Sequence, residues 1–334
     1  MVKIMLTIIN EKTDPRFNLA LEEYVLKNLP NDHDYILLWQ HVPSIIIGRN
    51  QNTIEEINSK YVEEHNINVI RRISGGGAVY HDAGNLNYSF ITNNTRDNLN
   101  NFRKFTEPVI KALNSLGVNA EFAGRNDILI DGKKFSGNAQ TYYKDRMYHH
   151  GTILFDADLD MVAKVLQVKQ QKVDSKAIKS NRSRVTNVLP YLKNKMTIKE
   201  FQNYLLKFIL GTDDIESKTY HLTEDDLKAI RKLEKEKYST WEWNFGENPD
   251  FEIQKEERFA GGIISFNLNV SEGHIKDIKI FGDFFGRIEV SALEEKFIGV
   301  KYTKEDVSRL LDTINLEDFF YNITKENILS LLFD

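Results

Sequence analysis

Arginines, glycines and a serine follow one another in a single segment of the chain, which contains Arg71, Arg72, Ser74 and the run Gly75–Gly77. A guanidinium group is always charged and can bind an anion through two hydrogen bonds. Consecutive glycines adopt backbone conformations that other residues rarely adopt, and they let a ligand approach the main chain. The segment favours a phosphate held against the backbone, although a tight turn or bulge would use the same glycines without a ligand.

A lysine with polar neighbours marks the second chemically distinctive segment. The sequence predicts a hairpin in which Asp127–Ile130 and Lys133–Gln140 are joined by an Asp-Gly turn. The two-residue period of a strand places three polar side chains on one face, those of Lys134, Ser136 and Asn138. Lys134 could neutralise a phosphate or a developing oxyanion, and Asp127 could help to hold Mg²⁺, which prefers one or two carboxylates with phosphate oxygens. Taken alone, Lys134 is also compatible with an ordinary surface lysine.

Two further segments carry donors for an anionic ligand. Lys169–Arg184 is strongly basic, with Asp174 as its one acid, and would suit a lid over a nucleotide, although such runs are usually solvated loops. Tyr148–Thr152 places donors next to a glycine. His149 and His150 occupy adjacent positions of a predicted strand and point to opposite faces, so the sequence indicates no metal site there.

Helices and strands are mixed along the part of the chain that must position these residues. Asp14 followed by proline predicts the start of a helix, and Phe102–Leu116 forms an apolar helical stripe closed by Gly117. Short apolar runs predict strands at Tyr35–Trp39, Ser44–Gly48, Asn68–Ile73, Leu86–Thr92 and Tyr148–Phe155. This mixture predicts an α/β (α+β) domain, with a mixed sheet on which helices pack.

The character of the sequence changes toward the C-terminus. Thr223 is predicted to cap a helix, and Trp241–Pro249 then breaks the pattern. We place a domain boundary there, with a larger domain at residues 1–246 and a small α+β domain at residues 247–334. A hairpin around Ser271–Gly273 is predicted in the small domain, followed by helices near Leu293–Ile298, Lys304–Leu311 and Lys325–Leu332.

The composition of the 334 residues, 41% apolar and 28% charged, is that of an ordinary globular protein. A net charge of -5 gives no reason to expect binding to nucleic acid. The chain has no cysteine, which excludes disulfides, thiolate metal sites and cysteine nucleophiles. No apolar run approaches the roughly 20 residues of a membrane span, and Met1–Asn10 lacks the layout of a signal peptide, so we expect a cytoplasmic protein without a membrane partner.

Together these segments resemble the lipoate–protein ligases over the whole length of the chain. The motifs that carry the resemblance are Asp14–Ala20, Ile47–Asn52, Arg71–Asn85, Gly124–Asp127, Lys134–Ala139, His150–Thr152, Ser180–Asn187 and Trp241–Gly246. The combination of Arg-Arg-x-Ser-Gly-Gly-Gly-Ala-Val with a downstream Lys-x-Ser-Gly is very specific to this family and its close relatives.

The resemblance implies a fold and a set of site residues. The larger domain would have the mixed-sheet catalytic fold of the biotin and lipoate ligases, and the smaller would be the accessory domain of the long-form ligase. Lys134 would be the catalytic lysine that contacts both the nucleotide and the lipoyl carboxyl, and Lys169–Arg184 would close over the adenylate. Asp127 would bind a Mg²⁺ ion that is also bound to the phosphates of ATP. The residues expected at the nucleotide are Arg72, Ser74, Gly75, Gly76, Gly77, Ala78, Val79, Tyr80, Asn85, Asp127 and Lys134.

Small departures from the family pattern lie in the basic segment. Asn181 stands where a small apolar residue is expected, and Ala177 stands where glycine is common. Both are conservative, and the alanine would make the lid slightly stiffer.

The implied activity has two steps. Lipoate would react with ATP to give lipoyl-AMP and pyrophosphate, and the lipoyl group would then pass to a lysine of a carrier domain. The implied cofactors are ATP and Mg²⁺, and the implied carriers are the E2 subunits of 2-oxoacid dehydrogenases and the H protein of glycine cleavage. Two anions must approach each other in the first step, and Lys134 and Arg72 would screen their repulsion. For the apolar lipoyl tail we expect a pocket lined by Ile45, Ile47, Val79 and Tyr88.

The chain lacks residues that are typical of two related classes of enzyme. The octanoyltransferases and lipoyl amidotransferases of the same fold work through a cysteine thioester, which this chain cannot form. Biotin ligases carry a Gly-Arg-Gly-Arg signature, and Ser74–Gly77 stands in its place here. Two alternatives stay open from the sequence: a binding module without turnover, and an acyltransferase that accepts lipoyl-AMP made elsewhere.

Overall fold

The computed structural model describes residues 4–93, 95, 97–98, 100–166, 185–245, 252–271 and 273–333. The predicted lid Lys169–Arg184 lies outside the described residues, as does the predicted boundary at residues 246 and 247. The strands are β1 Met5–Ile9, β2 Asp34–Trp39, β3 Ser44–Ile47, β4 Asn68–Arg71, β5 Val79–His81, β6 Asn85–Asn93, β7 Ala120–Ala123, β8 Asp127–Ile130, β9 Lys133–Tyr143, β10 Arg146–Leu154, β11 Ile253–Phe259, β12 Gly262–Ser271 and β13 His274–Gly282. The helices are α1 Pro15–Asn28, α2 Thr53–Glu56, α3 Ser59–Glu64, α4 Phe102–Ser115, α5 Leu159–Val165, α6 Ile198–Leu210, α7 Glu224–Leu233, α8 Trp241–Asn244, α9 Ser291–Phe297, α10 Lys304–Asp312 and α11 Lys325–Phe333.

A seven-stranded sheet, counted over the described residues, frames the first part of the chain in the order β1-β2-β6-β10-β9-β8-β7. β1 and β2 are parallel, and the other neighbouring strands are antiparallel. In β2, Ile36 and Leu38 belong to the core cluster that includes residues of α4 and α6, whereas Leu37 and Trp39 belong to the cluster that includes α1. Because both faces of the strand are covered, β2 reads in the sequence as one apolar run.

The predicted helix termini are confirmed. Asp14 accepts a hydrogen bond from the backbone nitrogen of Arg16 at 2.9 Å, and Pro15 is the first residue of α1. α4 ends two residues before Gly117, which has a φ of +80°. Thr223 caps α7 in a reciprocal box with Asp226. α1 borders the site described below, to which it contributes Leu19 and Glu22.

A second, three-stranded sheet carries the glycine loop. β3 is its central strand, with β4 parallel on one side and β5 antiparallel on the other. The loop between β4 and β5 contains Gly75–Gly77. This small sheet therefore holds both ends of the loop.

The C-terminal part of the chain has its own sheet and core. β11, β12 and β13 form an antiparallel sheet, which confirms the predicted hairpin around residues 271–273, and α9, α10 and α11 lie close to the three predicted helices. The core includes Phe266, Phe284, Phe297 and Phe320. The backbone nitrogen of Gly282 donates to the carbonyl of Asn50 at 2.7 Å, so this part contacts the first one beside the small sheet. None of the described helices combines the length and the apolar character that crossing a bilayer requires.

The hairpin of β8 and β9 is confirmed with a two-residue turn. Asp131 and Gly132 have φ values of +50° and +75°, as a type I′ turn requires. The pairing then shifts, because Leu129 pairs with Lys134 but Ile128 pairs with Ser136. A β-bulge therefore lies at Phe135, directly beside the predicted catalytic lysine.

Candidate active site

A cavity of about 330 Å³ lies where the two sheets, α1 and the C-terminal part of the chain meet. The residues that line it include Glu22 of α1, Ile46, Arg72, Gly76, Gly77, Ala78, Val79 and His81 of the small sheet and its loop, Lys134, Asn138 and His150 of the large sheet, and Asp283 after β13. The structure thus brings the glycine loop and the lysine strand to one cavity, although they lie far apart in the sequence.

Arg72 supports the glycine loop from inside the protein. Its guanidinium group donates to the carbonyls of Gly75 and Gly77, both at 2.8 Å, and to the carbonyl of Ile46 at 3.0 Å. Nε donates to the hydroxyl of Ser74 at 3.1 Å. Burial lowers the pKa of Arg72 to about 10, which leaves the group charged at neutral pH. The positive charge of Arg72 therefore lies beneath the loop and at the cavity wall.

Arg71 has a different role from Arg72. Nη1 donates to the carbonyls of Gly48, Arg49 and Gln51 at 2.6 to 3.0 Å, and Nε donates to the carbonyl of Trp243 at 2.9 Å. Arg71 is absent from the cavity wall. The adjacent positions of Arg71 and Arg72 in the sequence suggested two anion-binding arginines. The hydrogen bonds of Arg71 instead hold the backbone of the loop that follows β3.

The three glycines of the loop meet three different requirements. A side chain at Gly75 would collide with the carbonyl oxygen of Phe284 in the C-terminal part. Gly76 has a φ of +95°, which side chains disfavour, and a Cβ there would lie 3.0 Å from Arg72 Nη2. Gly77 has open space within 4 Å and lines the cavity. Of the three, Gly77 best fits the predicted close approach of a ligand.

Lys134 and Asp127 form an ion pair at the open side of the cavity. The Nζ of Lys134 lies 2.7 Å from Oδ1 of Asp127, and the lysine side chain is 40% exposed. The bulge at Phe135 breaks the strand alternation, so the prediction that Lys134, Ser136 and Asn138 share one face is wrong. Asn138 contacts Ser136 on the other face of the strand; it borders the cavity but is buried against Tyr88, which donates to its amide oxygen.

Several predicted residues lie away from the cavity wall. Tyr80 packs in a cluster with Ile45 and Ile47, on the side of the small sheet opposite Ile46 and Val79. The expectation that Ile45 and Ile47 line a tail pocket is wrong for this reason, because a strand alternates its faces and Ile46 takes that role. Tyr88 and Asn85 are buried in the large sheet, and neither reaches the cavity wall.

A buried polar network closes the inner end of the cavity. The hydroxyl of Tyr148 donates to Oε2 of Glu22 at 3.1 Å and also contacts His150, whose Nε2 lies 2.7 Å from the hydroxyl of Ser74. Burial raises the pKa of Glu22 well above its ordinary value. Burial also lowers the pKa of His150, and the nearby charge of Arg72 lowers it further. The network thus favours neutral forms of both side chains.

Several wall residues were not singled out from the sequence. Glu22 lies among the buried residues of α1, Trp39 is the last residue of β2, and His41 follows that strand. Asp283 comes from the C-terminal part of the chain, where no motif marks it. A carboxylate in the buried stripe of α1 is the one local signal that could have pointed to Glu22, because unpaired carboxylates are rarely buried.

The chemistry of the donors sets limits on metal binding. Among the described residues, no group of three or more histidine, cysteine, aspartate or glutamate side chains could hold a metal ion on its own. Asp127 lies at the open side of the cavity beside Lys134, and the other carboxylate there, that of Asp283, accepts a hydrogen bond from the backbone nitrogen of Ile263. This arrangement fits Mg²⁺ delivered with phosphate oxygens and does not fit a site built by the protein alone.

The fold and the cavity define a class of protein: a mixed α/β enzyme with a separate C-terminal domain and a glycine-lined site that contains three basic side chains, those of Arg72, Arg125 and Lys134. Two family descriptions match the chain: "Lipoyl protein ligase A/B catalytic domain" over residues 14–210, and "Bacterial lipoate protein ligase C-terminus" over residues 248–332. The chain belongs to the lipoate–protein ligase family, which confirms the resemblance seen in its motifs.

Relatives and solved structures agree with this assignment. Lipoate-protein ligase LplJ of Bacillus subtilis (strain 168) is 51% identical over 98% of this chain and 100% of its own length. Lipoate–protein ligase 1 of Staphylococcus aureus is 48% identical over 97% of this chain and 98% of its own. The crystal structure of P. falciparum LipL1 in complex with lipoate has a TM-score of 0.76 at 28% identity, and it covers 98% of this chain and 97% of that one. Lipoate-protein ligase A bound with ATP has a TM-score of 0.63 at 31% identity, and it covers 73% of this chain and 99% of that one.

Proposed function

We propose that the cavity binds lipoate and ATP side by side, forms lipoyl-AMP, and then transfers the lipoyl group to a lysine of a carrier domain. One observation carries the proposal: a loop with Gly77 exposed to the cavity, the charge of Arg72 and the ammonium of Lys134 all border the same space. Such a set suits a triphosphate that must meet a carboxylate.

The two ends of the cavity suit the two substrates. At the open end, Arg125, Lys134 and Asp127 carry formal charges and line the wall. At the inner end, the apolar parts of Leu19, Trp39, Ile46 and Val79 line the wall together with the neutral network of Glu22 and His150. We place the nucleotide at the open end and the lipoyl tail at the inner end, because a phosphate needs cations and an apolar tail does not.

The reaction needs charge compensation more than a protein nucleophile. A carboxylate oxygen of lipoate attacks the α-phosphorus of ATP, and the bond to pyrophosphate breaks. Lys134 would release Asp127 and bind the oxygens between the two anions, and Arg72 would support them through the loop. In the second step the carrier amine attacks the acyl carbonyl and loses its proton, and AMP leaves. Each cationic contact in such a step is worth about 10²- to 10³-fold in rate.

Mg²⁺ and the carriers complete the proposal. Asp127 would provide one oxygen to Mg²⁺ bound with ATP, and the ion would supply further screening of the phosphates. The structure of a bi-partite lipoate protein ligase and its E2 lipoyl domain from Thermoplasma acidophilum covers 76% of this chain at 32% identity. On that likeness we propose E2 lipoyl domains of 2-oxoacid dehydrogenases as carriers, with the H protein of glycine cleavage as a second.

The division into domains is also proposed. We assign residues 1–246 to catalysis and residues 247–334 to the accessory domain, because the first sheets and the C-terminal sheet have separate cores. We propose the cytoplasm as the compartment, since the reaction consumes ATP.

The function is tested by incubating the full chain with Mg²⁺-ATP, lipoate and an E2 lipoyl domain, while pyrophosphate and the mass of the carrier are recorded. We expect lipoate-dependent pyrophosphate release without the carrier, and a lipoylated carrier lysine when it is present. Binding of both substrates without either product would indicate a binding module. Carrier modification only from added lipoyl-AMP would indicate an enzyme of the second step alone.

A further inference from the structure

Asn138 of β9 carries a buried amide that the proposed mechanism does not use. The residue is 3% exposed, although it borders the cavity. Its neighbour in space is the loop that enters β8, whose residues Arg125, Asn126 and Asp127 also line the cavity. This loop belongs to the open end, where we place the nucleotide. The amide therefore lies beside the charged residues that the nucleotide would meet.

The partners of Asn138 fix the orientation of its amide. The carbonyl of Asn126 can only accept, so Nδ2 of Asn138 faces it at 3.0 Å. Nδ2 also donates to the hydroxyl of Ser136 at 3.3 Å. On the other side, the amide oxygen accepts from the hydroxyl of Tyr88, and Nε2 of His149 lies 3.2 Å from it. Two donated and two accepted hydrogen bonds fill the capacity of this side chain.

Asn126 makes the contact reciprocal. Its Nδ2 donates to the backbone carbonyl of Asn138 at 2.5 Å, and its own carbonyl also accepts from the backbone nitrogen of Asn138 at 3.0 Å. Three hydrogen bonds thus join the two residues. Because Asn126 stands between Arg125 and Asp127 in the sequence, these bonds also hold the backbone of both charged neighbours.

The strand next to β9 leaves room for this arrangement. Gly151 of β10 pairs with Asn138. A Cβ at Gly151 would lie 2.2 Å from Oδ1 of Asn138 and 2.7 Å from the ring of Tyr88. Neither side chain could withdraw without losing hydrogen bonds inside the protein. The missing side chain of Gly151 is therefore explained by the buried amide.

We propose that Asn138 is a positioning residue for the nucleotide end of the cavity, which holds Asn126 and, through it, the backbone of Arg125 and Asp127. This inference rests on the proposed function, from which it takes the nucleotide. A buried network with all its hydrogen bonds made is rigid, and a preformed loop avoids the loss of entropy on binding. Removal of the amide should weaken the binding of the nucleotide and leave the binding of lipoate unchanged.

Matched substitutions separate positioning from general stability. Asn138→Leu and Gln140→Met each replace a buried amide of β9 by an apolar side chain of similar size. Gln140 is 2% exposed and contacts His149, but the cavity wall does not include it. Both variants should lower the thermal melting temperature, because each leaves polar neighbours without a partner.

Calorimetry on the full chain measures binding without turnover, with α,β-methylene-ATP and lipoate as separate probes. We expect Asn138→Leu to raise the Kd of α,β-methylene-ATP about 3- to 10-fold, and Gln140→Met to leave it within about twofold. The Kd of lipoate should stay within about twofold in both variants. Equal weakening of α,β-methylene-ATP by the two variants would overturn the proposal. An equal rise of both dissociation constants in Asn138→Leu would also overturn it, because the cavity would then be disturbed as a whole.

The order of the loop can be measured without any ligand. Hydrogen–deuterium exchange in residues 124–128 should be faster in Asn138→Leu than in the parent and unchanged in Gln140→Met. Asn126→Ala removes the reciprocal bond from a partly exposed position, so it serves where Asn138→Leu does not fold. It should speed the same exchange and raise the Kd of α,β-methylene-ATP about 2- to 5-fold. Exchange or affinity that neither variant changes would overturn the proposal.

The proposed function can fail separately from this inference. A parent chain that binds α,β-methylene-ATP but releases no pyrophosphate with ATP and lipoate would contradict the proposed function. The dissociation constants and the exchange rates would then still decide the role of Asn138.

Discussion

The two ends of the cavity solve the same problem, the binding of polar substrate atoms, in opposite ways. At the open end Lys134 is 40% exposed and paired with Asp127, so full charges are kept near water. At the inner end His81 is 5% exposed, and burial lowers its pKa well below the ordinary range. A charged group loses little hydration free energy where water reaches it and much more where water is excluded.

The difference indicates which chemistry each end can perform. The open end can exchange ion pairs, because Lys134 can leave Asp127 for a phosphate at little cost. The inner end holds its groups in fixed protonation states, through Tyr148 and Ser74 on one side and Trp39 on the other. Screening of charge therefore belongs to the open end, and orientation of the acyl group belongs to the inner end.

The largest expected effect comes from removing the open-end cation. Lys134→Ala should lower the rate of lipoate-dependent pyrophosphate release by about 10²- to 10³-fold, because the approach of two anions loses its screening. The thermal melting temperature should stay close to that of the parent, since the lysine is half-exposed. The neighbouring Lys133 is exposed on the same strand, and Lys133→Ala is the matched control. Similar rates for the two alanine variants would show that the position of Lys134 is unimportant.

Within the glycine loop, Gly76 has a structural role and Gly77 is expected to have a ligand-binding role. Gly76→Ala should lower the free energy of unfolding by about 1 to 3 kcal/mol, because alanine is strained at a positive φ and crowds Arg72. Gly77→Ala should leave stability within about 0.5 kcal/mol and raise the KM for ATP. Urea unfolding and steady-state kinetics measure the two effects. Equal destabilisation by both substitutions would contradict the division.

Acid should weaken the inner end through its histidines. The folded-state pKa is depressed to about 3 for His41, and it is lowered for His81, His149 and His150 as well. Below about pH 6.5 these histidines are protonated in the unfolded chain but stay neutral in the folded protein. The free energy of unfolding is therefore highest above that pH and decreases as the pH falls. Each histidine should cost about 1 kcal/mol between about pH 6.5 and 5.5, and Glu22, whose pKa is raised, should offset part of this.

Urea unfolding at about pH 7.5, 6.5 and 5.5 checks this dependence. His149 packs against Phe105 and is not itself part of the cavity wall, although its Nε2 lies 3.2 Å from Oδ1 of the wall residue Asn138. His149→Gln should reduce the slope by about one proton. A slope that is flat in the parent, or unchanged in the variant, would mean that these histidines are protonated in the folded protein.

The smallest expected effect concerns a carboxylate at the open end. Asp283 lines the cavity and accepts a hydrogen bond from the backbone nitrogen of Ile263 at 2.5 Å, which asparagine can also accept. Asp283→Asn should lower the KM for ATP about two- to threefold at low ionic strength, because one repulsive charge is removed. The gain should disappear at high salt. A rise in the KM would instead give Asp283 a direct role in holding the nucleotide.

The sequence predicted the parts of the site that depend on local pattern. The Asp131-Gly132 turn, the start of α1 at Pro15 and the meeting of the glycine loop with Lys134 all agree with the structure. The prediction that Ser136 shares a strand face with Lys134 was wrong, because the bulge at Phe135 between them cannot be read from alternation.

Long-range packing accounts for what the sequence could not predict. Glu22 and Asp283 reach the cavity from elements that are far from the glycine loop in the sequence, and no motif marks either residue. Gly75 illustrates the same limit, because its missing side chain is explained by the carbonyl of Phe284 rather than by a ligand. Such requirements arise from tertiary contacts, which leave no periodic signal.

The division of labour between the two ends is tested most directly by a crystal structure of the protein with a non-hydrolysable lipoyl-adenylate analogue. The account predicts the acyl tail between Trp39 and Glu22, the adenylate beside Arg125, and the Nζ of Lys134 within hydrogen-bond distance of the linkage between them. An analogue bound in the reverse direction, with the adenine ring against the inner histidines, would contradict it.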